Sequence, residues 1–264
     1  DLSFIPDKGP VFSKTIGSDR DVANLHSPDP SEELGYVMDA IKHIKQELVD
    51  VPLIGFAGSP WTLATYMVEG RGSKQFTKIR KMLYESPEIL KSLLAKVTAT
   101  TIQYLKAQVD AGVDALMIFD SWGGILSSQT YGEFSLSYMD RIVKELKKYC
   151  DVPIVLFTKG GGSWLKEIIQ TDADGVGLDW SISMRQAKSI VKDKVCLQGN
   201  LDPACLYGSF QMIEQEVSRI LEEFGEGNGH VFNLGHGIYP DVDPEKVAFM
   251  VDAVHRLSLK GGSK

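Results

Sequence analysis

The feature of this sequence that most constrains its fold is the alternation of short apolar segments with longer segments of helical periodicity. Each short segment is largely apolar and rich in β-branched or aromatic residues, as are strands buried on both faces of a parallel sheet. These predicted strands are 52–58, 114–120, 153–159, 174–180, 194–200 and 229–236. The predicted helices are 31–48, 74–85, 87–111, 130–149, 163–171, 183–192, 210–224 and 244–258. Strand followed by helix, repeated along the chain, predicts an α/β fold with a parallel sheet.

The number of strands bears on how the sheet can close. Six strands are two fewer than the eight of a closed (βα)8 barrel, so either the sheet is open or two βα units are missing from the front. The opening segment reads as extended, loop-rich chain that begins within an element, and residues 1–30 are predicted to be an extended loop or hairpin region. We therefore expect a TIM-barrel type of fold with six of its eight βα units in this sequence. No linker rich in Pro, Gly or Ser interrupts it, so 1–264 is predicted to be one barrel domain, incomplete at its amino terminus.

Composition excludes several classes of protein. No apolar run approaches the ~18–20 residues that span a bilayer, so no membrane association is expected. The three cysteines, Cys150, Cys196 and Cys205, lack CxxC spacing, which argues against a disulfide framework and favours a reducing, cytoplasmic location. A net charge of −7 argues against a nucleic-acid partner. An anionic ligand would have to be held by locally placed cations or amide groups.

The end of every predicted strand is polar or glycine-rich. The segments there read GSPW, DSWGG, TKGGGSW, DW, GNLDP and GHG. Loops at the carboxyl ends of parallel strands build the active sites of βα proteins, and glycines let a ligand approach the backbone. Turns between strands and helices also need glycine for their own geometry, so the pattern indicates a binding face but no particular reaction.

Five segments resemble uroporphyrinogen decarboxylases in order and spacing: GFAGSPWTLATYMVEG (55–70), FDSW (119–122), GLDW (177–180), QGNLDP (198–203) and NLGHGIYPD (233–241). The resemblance covers essentially the whole chain. It implies a carboxy-lyase that removes the four acetate carboxyl groups of uroporphyrinogen III, without metal or cofactor, to give coproporphyrinogen III in haem biosynthesis. It also implies a homodimer.

The resemblance assigns roles to particular side chains. His236, between two glycines at the end of the last strand, is expected to bind a substrate carboxylate. Tyr66 and Ser121 are expected to contact the tetrapyrrole substrate, and Phe56 and Phe119 are possible pocket walls. The residues alone leave other interpretations open, namely a capping or solvent-facing histidine, a core tyrosine, a helix-capping serine and phenylalanines of a plain sheet core.

The catalytic groups of the family have no match in this sequence. In the family an aspartate gathers the pyrrole N–H groups and an amino-terminal arginine motif handles carboxylates. Both are expected to lie before Asp1, so the catalytic residues are unknown. The strand-end aspartates Asp120, Asp179 and Asp202 are expected to hold loop amides. The alternative is that they act as general acids, which would need burial or a neighbouring like charge to raise their pKa. Lys159 and Arg71 are the cations nearest the predicted face and could pair with substrate carboxylates, although a solvated surface lysine is the alternative for Lys159.

Two functions of other classes stay open from the sequence. The first is a zinc-dependent methyltransferase of the corrinoid type, a group of similar fold that needs a His-x-Cys pair and a later cysteine as zinc ligands. No cysteine here lies two residues after a histidine, and the last strand ends in His236. The second is a non-catalytic porphyrin-binding protein on the same fold.

Overall fold

The structure, a computed structural model, describes residues 2–5, 9–73 and 75–259. Strands β1 (Leu2–Ile5) and β2 (Gly9–Phe12) form an antiparallel hairpin. Helix α1 (Asp19–Ala23) follows, and Ser18 caps it through a capping box with Asp21. The described part of residues 1–30 therefore holds a hairpin, one of the two predicted alternatives, and a short helix that was not predicted.

The main sheet has six strands, and all six predicted strands are confirmed with shorter bounds. They are β3 (Ile54–Gly58), β4 (Ala115–Asp120), β5 (Ile154–Thr158), β6 (Gly175–Gly177), β7 (Cys196–Leu201) and β8 (His230–Leu234). They lie in chain order across the sheet. The pairs β3–β4, β6–β7 and β7–β8 are parallel, as predicted.

The remaining helices separate the strands. They are α2 (Pro30–Glu33), α3 (Gly35–Glu47), α4 (Pro60–Glu69), α5 (Thr77–Glu85), α6 (Pro87–Asp110), α7 (Ser128–Tyr131), α8 (Ser137–Lys147), α9 (Leu165–Ile168), α10 (Met184–Val191), α11 (Phe210–Phe224) and α12 (Pro244–Leu259). The fold is thus α/β, with six strands each followed by helical segments. The chain divides into two compact units, 1–156 and 157–264, which are described separately below.

In the first unit, β3 is the first strand in the sheet order. The side chain of Gln108 makes two hydrogen bonds to the backbone of this strand. Gln108, buried on α6, donates from Nε2 to the carbonyl of Phe56 at 2.9 Å. Its Oε1 accepts the backbone N–H of Phe56, also at 2.9 Å. One side-chain amide thus satisfies both backbone groups of a strand residue, as a neighbouring strand would.

In the second unit, the long helix α11 packs through one apolar stripe. Its buried residues Ile213, Val217, Ile220 and Phe224 recur at intervals of three and four, which places them on one helical face. Ser209 caps the helix by accepting the N–H of Met212. This face covers the sheet beside β7, whose residues are almost all buried.

The structure corrects several predicted helices. The predicted helix 31–48 is two helices that meet at Leu34, and Asp29 caps the first of them. The predicted helix 130–149 contains a π-helical stretch over Gly132–Leu136 between α7 and α8. Helix α4 was not predicted, because most of its sides are buried and its sequence has no polar stripe.

Candidate functional site

In the first unit, β4 ends at a carboxylate that is fully buried, that of Asp120. Its Oδ1 accepts the hydroxyls of Ser59 at 2.6 Å and Thr62 at 3.1 Å. Its Oδ2 accepts the hydroxyl of Ser135 at 2.7 Å. Burial raises the pKa of the Asp120 carboxyl above its ordinary value, although the three hydroxyls oppose that rise. Asp120 therefore ties the end of β4 to the first turn of α4 through side-chain hydroxyls, rather than through the loop amides that were expected.

Helix α4 carries Tyr66 to the residues that follow β4. Ser59 caps this helix and Pro60 occupies its first turn, which fixes where it starts. The ring of half-buried Tyr66 meets that of Trp122 edge-on, with centroids 6.2 Å apart. The backbone N–H of Trp122 in turn donates to the hydroxyl of Thr62 at 3.2 Å. The structure thus brings Tyr66 beside the turn that holds Ser121.

The hydroxyls of Tyr66 and Ser121 make no hydrogen bond within the described ranges. A core tyrosine would have a partner for its hydroxyl, and a capping serine would accept a backbone N–H. Ser121 is not a cap, because the 3₁₀ turn after β4 begins beyond Trp122. Two half-buried hydroxyls on neighbouring elements are therefore available to a ligand.

Phe56 and Phe119 lie on neighbouring strands and touch. Their rings meet edge-to-face at 5.9 Å and 82°. Phe56 is 61% exposed, so it does not belong to a sheet core. Phe119 is half-buried beneath it. This exposed aromatic pair is the kind of surface against which a flat apolar ligand can lie.

Trp122 is a residue that the sequence reasoning did not single out. Its indole Nε1 is buried and has no hydrogen-bond partner among the described residues. Its ring also packs on Phe76, with centroids 4.4 Å apart. The FDSW segment contained this tryptophan, but only the contact with Tyr66 reveals its position between the candidate residues.

In the second unit, Asp179 organises the loops after β5 and β6. Its carboxylate accepts the N–H of Gly160 at 2.5 Å and that of Ser181 at 3.0 Å. The hydroxyl of Ser181 donates to it as well. Asp202 similarly accepts the N–H of Ala204 at 2.9 Å. The expectation that these two aspartates hold loop amides is confirmed.

His236 follows β8 and is half-buried, with its ring 6.1 Å from that of Phe157. Burial and then the positive charge of Lys159 lower the pKa of the His236 imidazole, while Asp179 raises it less. The imidazole is therefore neutral at neutral pH. It makes no hydrogen bond in the part of the chain that the structure describes, so it is neither a cap nor a satisfied core histidine. His230, in contrast, bonds the carbonyl of Gly199 at 3.0 Å.

The described ranges hold no group of three His, Cys, Asp or Glu side chains that could bind a metal ion. The three cysteines are free thiols. Among the helices of those ranges, none has both the length and the apolar character to cross a membrane.

Comparison with solved structures identifies similar folds. A methyltransferase from Methanosarcina mazei superimposes over 98% of this chain and 75% of its own, with a TM-score of 0.81 and 21% identity. A B12-independent methionine synthase from Shewanella sp. W3-18-1 covers 98% of this chain and 73% of its own, at a TM-score of 0.63 and 12% identity. At such identities the likeness concerns the fold alone.

Comparison of sequences is more specific. The family model described as uroporphyrinogen decarboxylase (URO-D) matches residues 1–257. The uroporphyrinogen decarboxylase of Alkalilimnicola ehrlichii is 54% identical over 97% of this chain and 72% of its own length. That of Pseudoalteromonas atlantica is 55% identical over 98% of this chain and 74% of its own. The chain belongs to the uroporphyrinogen decarboxylase family.

Proposed function

We propose that this protein is a carboxy-lyase that decarboxylates the acetate side chains of uroporphyrinogen. The observation that carries the proposal is the family match over residues 1–257. The sequence of a related decarboxylase is 54% identical over 97% of this chain. The reaction breaks the bond between an acetate methylene carbon and its carboxyl carbon. A proton first adds to the ring carbon beside the acetate, and the protonated ring accepts the electron pair as carbon dioxide leaves. A second proton added to the exocyclic methylene carbon gives a methyl group, and loss of the first proton from the ring carbon restores the pyrrole. Repetition at four acetates yields coproporphyrinogen.

The described residues can bind such a substrate without being its proton donors. The hydroxyls of Tyr66 and Ser121 have no partner in the described ranges, and each can donate to a carboxylate oxygen. The neutral His236 imidazole can donate one hydrogen bond to another carboxylate. The exposed rings of Phe56 and Phe119 can lie against the macrocycle. We assign these five residues to substrate binding and place no residue in the catalytic roles.

A methyltransferase function is not favoured. The methyltransferase from Methanosarcina mazei shares 21% identity with this chain, whereas the decarboxylases share about 54%. The sequence lacks the His-x-Cys pair that the zinc chemistry would need, and His236 stands where the last strand ends. We also propose a cytoplasmic location. We propose in addition that the protein is a homodimer, and sedimentation of the natural protein would test this oligomeric state.

The substitution His236→Asn tests the proposed role of the imidazole in the complete natural protein. We expect kcat/KM for uroporphyrinogen III to fall by about tenfold to a hundredfold, because one hydrogen bond to a charged group is worth about 1.5–3 kcal/mol. The thermal midpoint should change little, since the ring has no bond within the described ranges to lose. His255→Asn, an exposed histidine on α12, is the matched control and should retain full activity.

Two other results would change the proposal. A fully active His236→Asn variant would remove this residue from the site. If the natural protein bound uroporphyrinogen but released no carbon dioxide, the non-catalytic porphyrin-binding alternative would be supported instead.

A further inference from the structure

Lys159, one residue beyond β5, is a half-buried cation without an anion. Its Nζ lies 6.0 Å from the centroid of the Trp180 ring, and it forms no ion pair or hydrogen bond within the described ranges. Several other half-buried lysines have an oxygen acceptor for Nζ, such as Lys45, which reaches Asp114 at 2.7 Å, and Lys188, which reaches the carbonyl of Phe224 at 2.7 Å. Lys106 resembles Lys159 instead and lies over the Tyr149 ring at 4.8 Å. Because an ammonium group loses hydration on burial, it ordinarily takes an oxygen acceptor as its partner.

The carboxylate of Asp179, which is hydrogen-bonded to this loop, already has its own donors. Both carboxylate oxygens of Asp179 accept hydrogen bonds, Oδ1 from the N–H and hydroxyl of Ser181 and Oδ2 from the N–H of Gly160. These bonds hold the loop after β5 in place. Asp179 therefore positions the segment that carries Lys159 without neutralising it.

His236 follows Gly235, which packs so closely on Trp180 that an added Cβ would lie 2.9 Å from its ring, and the Lys159 ammonium group faces that same ring. Beyond the effect of burial, the charge of Lys159 accordingly lowers the pKa of the His236 imidazole. A neutral imidazole beside an ammonium group supplies one hydrogen-bond donor and no charge, so the ammonium must supply the positive charge that a bound anion needs. Trp180, which is 40% exposed, offers an apolar face next to the same cation. A cation, a neutral donor and an aromatic face together suit a carboxylate carried on an aromatic ring system.

We propose that Lys159 binds a carboxylate side chain of the tetrapyrrole substrate together with His236. The proposal rests on the proposed function and adds a charged residue to it. Lys159 acts in binding and transfers no proton, so its removal affects the affinity for substrate more than the rate of the chemical step. Lys159 and His236 hold the same group, and their effects on binding should therefore be coupled rather than additive.

The test compares Lys159→Met, which keeps the apolar stem, with Lys159→Arg, which keeps the charge. Lys166→Met is the matched control, because Lys166 is an exposed lysine on α9. In the complete natural protein we expect Lys159→Met to raise KM for uroporphyrinogen III about tenfold to a hundredfold, with kcat within about threefold. Lys159→Arg should recover most of the affinity, and Lys166→Met should match the wild type.

Two further measurements separate this proposal from the proposed function. NMR titration of the ligand-free protein should show a higher pKa of His236 in Lys159→Met than in Lys166→Met, because the neighbouring positive charge is gone. The dissociation constant of coproporphyrin III, a tetracarboxylate, should rise in Lys159→Met by the same factor as KM rises. Equal KM values and equal porphyrin affinities in the two Met variants would overturn the role of Lys159. Weakened porphyrin binding by a protein that releases no carbon dioxide would keep Lys159 in the site and refute the decarboxylase function.

Discussion

Replacing Asp120 with alanine should destabilise the first unit strongly. The carboxylate is fully buried and accepts three hydroxyls, those of Ser59, Thr62 and Ser135. Alanine would leave all three hydroxyls buried without their acceptor, at about 1 kcal/mol each, so the free energy of unfolding should fall by about 3 kcal/mol. Urea unfolding followed by tryptophan fluorescence measures this change.

Asp120→Asn separates the hydrogen bonds from the charge. Its amide oxygen can accept from Ser59 and Thr62, and its NH₂ group can donate to Ser135, so we expect a loss of only about 1 kcal/mol or less at neutral pH. The raised pKa of Asp120 means that the folded protein holds its proton at pH values where the unfolded chain has released it. The wild type therefore loses stability as pH rises from about 3.8 through the folded pKa, whereas the Asn variant does not.

The control for both variants is Asp50→Ala, an exposed aspartate in the same unit. Its effect should lie within about 0.5 kcal/mol. If Asp120→Ala were no more destabilising than Asp50→Ala, the carboxylate would not be anchoring the start of α4. If the stability difference between wild type and Asp120→Asn did not change with pH, the raised pKa would be refuted.

Three other outcomes are expected. Gly70→Ala should destabilise the protein by at least about 1–2 kcal/mol in thermal unfolding, because Gly70 has φ +80° and an added Cβ would lie 2.6 Å from a threonine methyl group. In the control Gly35→Ala the added Cβ has no atom within 4 Å, so this variant should be neutral or stabilising. Ultraviolet titration should place the pKa of Tyr207 at about 12, since its hydroxyl donates to Asp241, and Asp241→Asn should return it towards 10. Burial lowers the pKa of His230, so the unfolded chain takes up a proton before the folded protein does. The free energy of unfolding should therefore decrease as pH drops below about 6.5. In His230→Gln the difference in this free energy between pH 7.5 and pH 5, measured by urea unfolding, should be smaller.

The strands could be predicted because buried parallel strands are apolar along their whole length. Helix α4 escaped for a related reason, since burial of Trp61, Ala64 and Val68 on several sides leaves it without helical amphipathicity. Its Ser59-Pro60 start was the available signal. The break at Leu34 and the π-helical stretch over Gly132–Leu136 were not predicted, although Gly35 follows the first and Gly132 begins the second, and glycine is a poor helix former.

The candidate site was predictable in part. The sequence singled out Tyr66, Ser121 and His236, and the structure gives each a half-buried side chain without a hydrogen bond in the described ranges. Their roles in substrate binding stay predictions. The hydroxyls that meet Asp120 come from positions 59, 62 and 135, and such long-range contacts could not be derived from spacing. The same holds for the contact between Trp122 and Tyr66.

The amide of Gln108 has a consequence for association between molecules. An outer strand of a sheet normally presents free N–H and carbonyl groups, which can recruit a strand from another chain and begin aggregation. At Phe56 both groups are already engaged by one side chain from α6. An approaching strand would have to displace that amide and leave it buried without partners. Among the described residues, Gln108 thus occupies the backbone groups of Phe56 that another strand would use, and it leaves the ring of Phe56 exposed.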